Sequence, residues 1–81
     1  MVDQDRQTKL NPTTIAMYHE LSQLPAGELC YFYFTTAREW DQIDNERIAL
    51  VNLVAHLKEF DIATMISHEP NLWQLSVLKL A

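Results

Sequence analysis

The feature that most constrains the fold is Thr36 to Phe60, the longest periodic segment in the chain. On a helical wheel of about 100° per residue, its apolar side chains fall within one arc of roughly 180°. Polar side chains occupy the opposite arc. The segment therefore predicts a helix with one face in the core, and the apolar arc contains Trp40, Ile43, Ile48, Leu50, Val51, Val54, Ala55 and Leu57.

Two signals compete for the start of this helix. Thr36 and Glu39 form a capping box, whereas Asp44 could cap a second start a few residues later. Asp41, Asp44 and Asn45 all favour caps over helix interiors. We therefore expect a short helix over 36–42 and a longer one over 45–59, with a single uninterrupted helix as the alternative.

An earlier helix is predicted over 12–24. Asn11 suits a cap and Pro12 suits the first helical position. Gly27, the only glycine, follows the end of the segment. The buried stripe of this helix is predicted to be Ile15, Tyr18, Leu21 and Leu24.

The run ELCYFYFT over 28–35 predicts a strand, because it is dense in aromatic residues. Leu29, Tyr31 and Tyr33 point to one side and Phe32 and Phe34 to the other. Since both sides are apolar, we expect both faces of this strand to be covered. No Lys or Arg is interleaved, so core packing is favoured over a base-stacking platform.

The C-terminal part predicts a β-hairpin. Residues 61–67 form a short segment rich in β-branched side chains. Turn-forming residues follow over 68–71, and an apolar pattern resumes over 72–80. A last helix starting at Pro70 is the alternative, because Leu72, Leu75 and Leu78 also fit helical spacing.

These elements predict a single small α+β domain over 10–81, preceded by a flexible terminus over 1–9. The expected order is helix, strand, helix, helix and hairpin. If the central helix is unbroken, the alternative architecture is one long helix packed on a small three-stranded antiparallel sheet.

Charge and cysteine content restrict the class of partner and the compartment. Eleven acidic residues against six Lys and Arg give a net charge of −5, which opposes contact with nucleic acid. One cysteine, Cys30, excludes an internal disulfide, and the apolar run around it predicts a buried thiol. No apolar run is long enough for a membrane span or signal peptide, so we expect a cytoplasmic protein without a membrane partner.

The residue patterns favour a protein without catalytic activity, metal or cofactor. His19, His56 and His68 lie in three different elements and share no metal-ligand spacing. Asp41 and Asp44 could form a carboxylate pair, but capping explains them better. A nucleophile elbow needs more glycine than the chain has.

The central helix carries a second apolar strip outside its main arc, formed by Ala49, Leu53 and Phe60 with His56 beside them. A helix with a wide buried arc does not need this strip. We interpret it as a contact surface for another protein, including a second copy of the chain. The alternative is that the first helix and the hairpin cover it. The sequence therefore predicts a small non-enzymatic regulator or adaptor.

The order of elements over 12–80 resembles the winged-helix family. Within it, the small proteins that accompany dissimilatory sulfite reductase are similar in their aromatic strand, for which this chain has YFYF at 31–34. The resemblance implies an alternative function, a DNA-binding transcriptional regulator whose recognition helix is 45–59. It implies DNA contacts by Arg47, Asn52, His56, Lys58 and Lys79.

Overall fold

The computed structural model of the protein describes residues 11–35, 40–70 and 72–81. It is an α+β structure in which helices pack on one face of a three-stranded antiparallel sheet, as in the alternative architecture above. The predicted flexible terminus over 1–9 lies outside the described residues. In chain order the elements are α1 (Thr14–Ser22), β1 (Leu29–Thr35), α2 (Trp40–Leu57), β2 (Ile62–Glu69) and β3 (Leu72–Lys79).

The sheet has the strand order β1-β3-β2, and both outer strands are antiparallel to β3. The strands β1 and β2 therefore run parallel, and parallel strands require a crossover connection. Helix α2 lies within that connection. Leu75 in the central strand is paired with Phe32 on one side and Ile66 on the other.

The predicted hairpin is confirmed. Strands β2 and β3 pair without interruption from Ile62↔Lys79 to Glu69↔Leu72, so only Pro70 and Asn71 separate them. Asn71 itself is outside the described residues. Strand β2 extends two residues beyond the predicted 61–67, because residues 68 and 69 still pair with β3 before Pro70.

The core lies between the helices and one face of the sheet, called here the inner face. Strands β1 and β3 contribute to it through alternate residues, and each helix contributes one side. Among the described residues the buried apolar side chains are Met17, Leu21, Leu24, Phe32, Phe34, Ile43, Leu50, Val54, Phe60, Leu75 and Val77.

Helix α1 begins later than predicted. Thr13 is its cap, with a side chain that accepts a hydrogen bond from the amide of Ala16 at 3.1 Å. Asn11 instead has a φ of 53° and donates its amide to the carbonyl of Tyr33 at 2.8 Å. The predicted buried stripe is also wrong at Ile15, which is 57 % exposed, and Met17 takes its place in the core.

Helix α2 runs unbroken from Trp40 to Leu57, so the predicted break near Asp44 is wrong. The carboxylate of Asp44 is not a cap. It accepts two hydrogen bonds from Arg47, at 2.7 and 3.0 Å, one turn further along the helix. This ion pair satisfies Asp44 inside the helix. The capping box of Thr36 and Glu39 lies outside the described residues.

The buried side of α2 is narrower than its apolar arc. Ile43, Leu50 and Val54 are buried, whereas Ile48 and Ala55 of the same arc are exposed. Part of the apolar surface of α2 is therefore not covered by any described residue. No helix in the described part of the chain is long and apolar enough to cross a membrane.

Candidate contact surfaces

The sheet face opposite the helices, called here the outer face, is built from alternate residues of all three strands. Register places them in four cross-strand rows. Three of them are Leu29–Leu78–Ala63, Tyr31–Ser76–Met65 and Tyr33–Gln74–Ser67, and the fourth, at the hairpin end, pairs Leu72 with Thr35 and Glu69.

Large apolar side chains of the outer face are exposed. Leu29 is 47 %, Tyr31 40 % and Met65 66 % exposed, whereas Phe32 and Leu75 on the inner face are at most 1 % exposed. The expectation that both faces of β1 are covered is therefore wrong, because both described helices pack on the same side of the sheet. A shallow groove of about 430 Å³ follows this face, lined partly by Leu29, Tyr31 and Met65.

Three of the four rows carry no charged side chain, although the chain has a net charge of −5, and Glu69 is the one charged residue, at the hairpin end of the face. Its polar groups include Gln74 and Ser76, which are joined by a hydrogen bond of 3.1 Å from the Gln74 amide to the Ser76 hydroxyl. The combination of exposed apolar side chains and polar groups that are already hydrogen-bonded is suited to burial under another protein.

The strip predicted on the central helix is only partly a surface. Ala49 and His56 are exposed and Leu53 is half-buried. Phe60 is buried, so assigning it to a contact surface is wrong. It lies beyond the end of α2, where the chain turns its ring toward α1.

Phe60 belongs to a small cluster that joins α1, the segment after α2 and the last strand. Its ring stacks on Tyr18 with centroids 5.7 Å apart, and the ammonium of Lys79 lies 4.5 Å from its centroid. Lys79 also donates to the carbonyls of Leu21 and Leu24 at the end of α1, at 3.0 and 2.7 Å. The ammonium group of Lys79 therefore stabilises the packing of the end of α1 against β3.

The hydroxyl of Tyr18 donates a hydrogen bond to the carboxylate of Glu59. This hydrogen bond, together with desolvation and the charge of Glu59, raises the pKa of Tyr18 above its ordinary value. The hydrogen bond between Tyr18 and Glu59 lies on the solvent-exposed side of the cluster.

The residues proposed for DNA contact do not form one cationic surface. Asn52, His56 and Lys58 are exposed, but Arg47 is bound to Asp44 and Lys79 to α1. Two of the three candidate Lys and Arg side chains are thus already engaged within the protein.

The three histidines remain apart and exposed, and His68 stacks on Trp73 with centroids 4.0 Å apart. No three His, Cys, Asp or Glu side chains among the described residues could hold a metal ion together. Cys30 is half-buried against the core rather than fully buried.

The sequence showed which side chains share the outer face but not that this face is open. Alternation along β1 identified Leu29, Tyr31 and Tyr33 as one set. Whether such a set is covered depends on which side of the sheet the helices pack. No local sequence pattern predicts on which side that is.

No model of a known protein family, no curated protein and no solved structure matches the chain. The fold and surfaces define it at the level of class, as a small two-layer α+β protein in which no described helix covers the outer face of the sheet.

Proposed function

We propose that the protein is a small non-enzymatic regulator or adaptor that binds a partner protein on the outer face of its sheet. The observation that carries this proposal is the exposure of Leu29, Tyr31 and Met65 in rows of the outer face that contain no charged side chain. Apolar surface removed from water contributes about 25 cal/mol per Å², so a flat face of this kind favours association.

The chemistry of the face specifies the partner. Away from Glu69 at the hairpin end, an acidic or basic surface would have to give up its hydration against side chains that offer it no opposite charge. A nucleic acid would find no Lys or Arg in the four rows. The partner is therefore a protein that presents an uncharged, largely apolar surface, such as one side of an amphipathic helix.

Site-specific photo-crosslinking in cells of the source organism tests this proposal. Tyr31 is replaced by p-benzoylphenylalanine, which keeps an aromatic ring at that position. Ile15, equally apolar and exposed but on α1, takes the same probe as the control. We expect one predominant crosslinked protein from position 31 and none from position 15. Equal, weak crosslinking from both positions would contradict the proposal.

A cytoplasmic location is part of the proposal, and cell fractionation tests it. DNA binding is the second function that the sequence raised, and the engagement of Arg47 and Lys79 within the fold gives it less support. It predicts a fluorescence-anisotropy change with mixed duplex at about 50 mM salt, where phosphate contacts are strongest.

A further inference from the structure

The second unusual surface is the edge of β2 that faces away from β3, which pairs with no other described strand. The residues that close the hairpin, Glu69 and Leu72, form a hydrogen-bonded pair when only two residues separate them. Hydrogen bonding then alternates along the strand. Asp61 continues the same alternation, because its carbonyl accepts from Leu80 at 2.8 Å. The backbone groups that point away from β3 therefore belong to Ile62, Thr64, Ile66 and His68.

No residue in the described part of the chain makes a backbone hydrogen bond to this edge. The opposite edge of the sheet differs, since the carbonyl of Tyr33 on β1 accepts from Asn11. Proteins usually protect an edge strand with Lys, Pro or a bulge. β2 contains neither residue, pairs with β3 in unbroken register, and carries no acidic or basic residue other than His68 before Glu69.

The inner face is also incomplete beside this edge. On β1 and β3, four of the side chains that face the helices are buried, namely Phe32, Phe34, Leu75 and Val77. The corresponding side chains Ile62, Thr64 and Ile66 on β2 are only half-buried. Further chain alongside β2 would complete their burial.

Helix α2 has an uncovered apolar flank on the same side of the molecule. Ile48, Val51 and Ala55 follow one another at helical spacing, and Ile48 is 41 % exposed. Glu46, on the opposite flank, accepts a hydrogen bond from Thr14 at 2.7 Å, so α1 lies on that other side. The flank of Ile48, Val51 and Ala55 therefore faces the β2 side of the protein.

We infer that two copies of this chain pair through β2, antiparallel and around a two-fold axis at Met65, to form one six-stranded sheet. In this register Thr64 pairs with the partner's Ile66, and Ile62 with the partner's His68. All four residues with outward-pointing backbone groups on each strand are then hydrogen-bonded.

A second copy fits the site better than an isolated peptide strand, because it also covers the flank of α2. Helix α2 contacts both β2 and β3. With strands about 4.8 Å apart, the two copies of α2 would lie about 10 Å apart on the same side of the joined sheet. That is within the usual distance of about 8–10 Å for packed helices. A peptide strand alone would bring no helix.

Charge is consistent with self-association at this edge. Each copy has a net charge of −5, so two copies can approach closely only where the contact is uncharged. The stretch from Ile62 to Ser67 meets that requirement. Asp61 and the partner's Glu69 lie opposite each other only at the two ends, where both are exposed to solvent.

The inference stands on the edge of β2 and the flank of α2, and it does not depend on a partner at the outer face. Its first test is a disulfide. In a Cys30→Ala background, Met65→Cys would place two cysteines opposite each other in a non-hydrogen-bonded pair, about 4.5 Å apart between Cα atoms. A disulfide accepts that distance. The control is Ala63→Cys, on the same strand and face, which would lie two residues from the axis in each copy.

We expect the Met65→Cys protein to form a disulfide dimer at least tenfold faster than the Ala63→Cys protein under mild oxidation. Equal rates, or monomers in both cases, would refute the register and the two-fold axis.

The second test is sedimentation equilibrium of the full chain. We expect the wild-type protein to approach twice its 9.5 kDa mass at about 100 µM. Thr64→Pro removes an outward-pointing amide that β3 does not use, so association should weaken at least tenfold. A monomeric wild-type protein, or an equally strong dimer of a folded Thr64→Pro variant, would overturn the inference.

If circular dichroism shows that Thr64→Pro does not fold, Met65→Lys replaces it. Met65 is largely exposed in the single chain, whereas the dimer would set two lysines against each other on the axis. Undiminished dimerisation of this variant would equally overturn the inference. Leu29→Lys, on the outer face of β1, should leave the dimer intact while it impairs binding of the proposed partner. Failure of one proposal is thereby distinguished from failure of the other.

Discussion

At the scale of single residues, a lysine and a tyrosine contribute more to the fold than their positions in the sequence suggest. Lys79 ends the last strand and Tyr18 lies on the first helix, yet both meet the ring of Phe60. Composition and periodicity identify neither contact, because each joins residues far apart in the chain.

Replacement of Lys79 by Met should destabilise the protein by about 1–3 kcal/mol. The methionine fills similar space but leaves the carbonyls of Leu21 and Leu24, at the end of α1 and just beyond it, without their charged donor and removes the contact with Phe60. Urea denaturation measures the difference. Lys58→Met, at an exposed lysine, is the control and should stay within about 0.5 kcal/mol of wild type. Equal stability of the two variants would contradict the role assigned to Lys79.

Replacement of Tyr18 by Phe should lower the melting temperature near pH 7 and have less effect at high pH. The hydrogen bond to Glu59 raises the pKa of folded Tyr18 above that of the unfolded chain. Its stabilisation is therefore complete below the unfolded value of about 10 and is lost as pH rises through the folded pKa. The phenylalanine retains the stacking on Phe60. A difference between the two proteins that does not change up to pH 11 would contradict this account.

At the scale of elements, local sequence patterns predicted helices and strands correctly where the interacting residues are near each other in the sequence. The strand at 28–35 and the hairpin follow from β-branched and aromatic runs bounded by turn residues. The predicted break in α2 was wrong because the Asp44 carboxylate can be satisfied locally in two ways, by capping a helix or by forming an ion pair with Arg47. The structure contains the ion pair.

At the end of α2 a lysine occupies the left-handed position that a glycine commonly takes after a helix. Lys58 follows the helix with a φ of 57°, a left-handed conformation that glycine adopts more readily. Lys58→Gly should therefore stabilise the protein by up to about 1 kcal/mol. Thermal unfolding measures this, with Lys58→Ala as the control that keeps the unfavourable Cβ. A glycine variant less stable than the alanine variant would refute the interpretation.

At the scale of the whole molecule, the open outer face follows from the placement of both helices. The crossover through α2 is on the same side as α1, so the outer-face side chains of the sheet point away from every described helix. This arrangement is a property of the packed chain, and the alternating pattern of β1 alone could not reveal it.

The most direct test of the outer face as a partner-binding surface is oxidation of Met65 by hydrogen peroxide, followed by mass spectrometry. Met65 is 66 % exposed, whereas Met17 is fully buried and serves as an internal control. The Thr64→Pro background removes any contribution from pairing through β2.

In the purified monomer, Met65 should be oxidised much faster than Met17. In native extract its oxidation should slow severalfold, because the partner covers the outer face, and Leu29→Lys should restore the fast rate. Oxidation of Met65 at the same rate in extract and in the purified protein would contradict the claim that this face binds a partner.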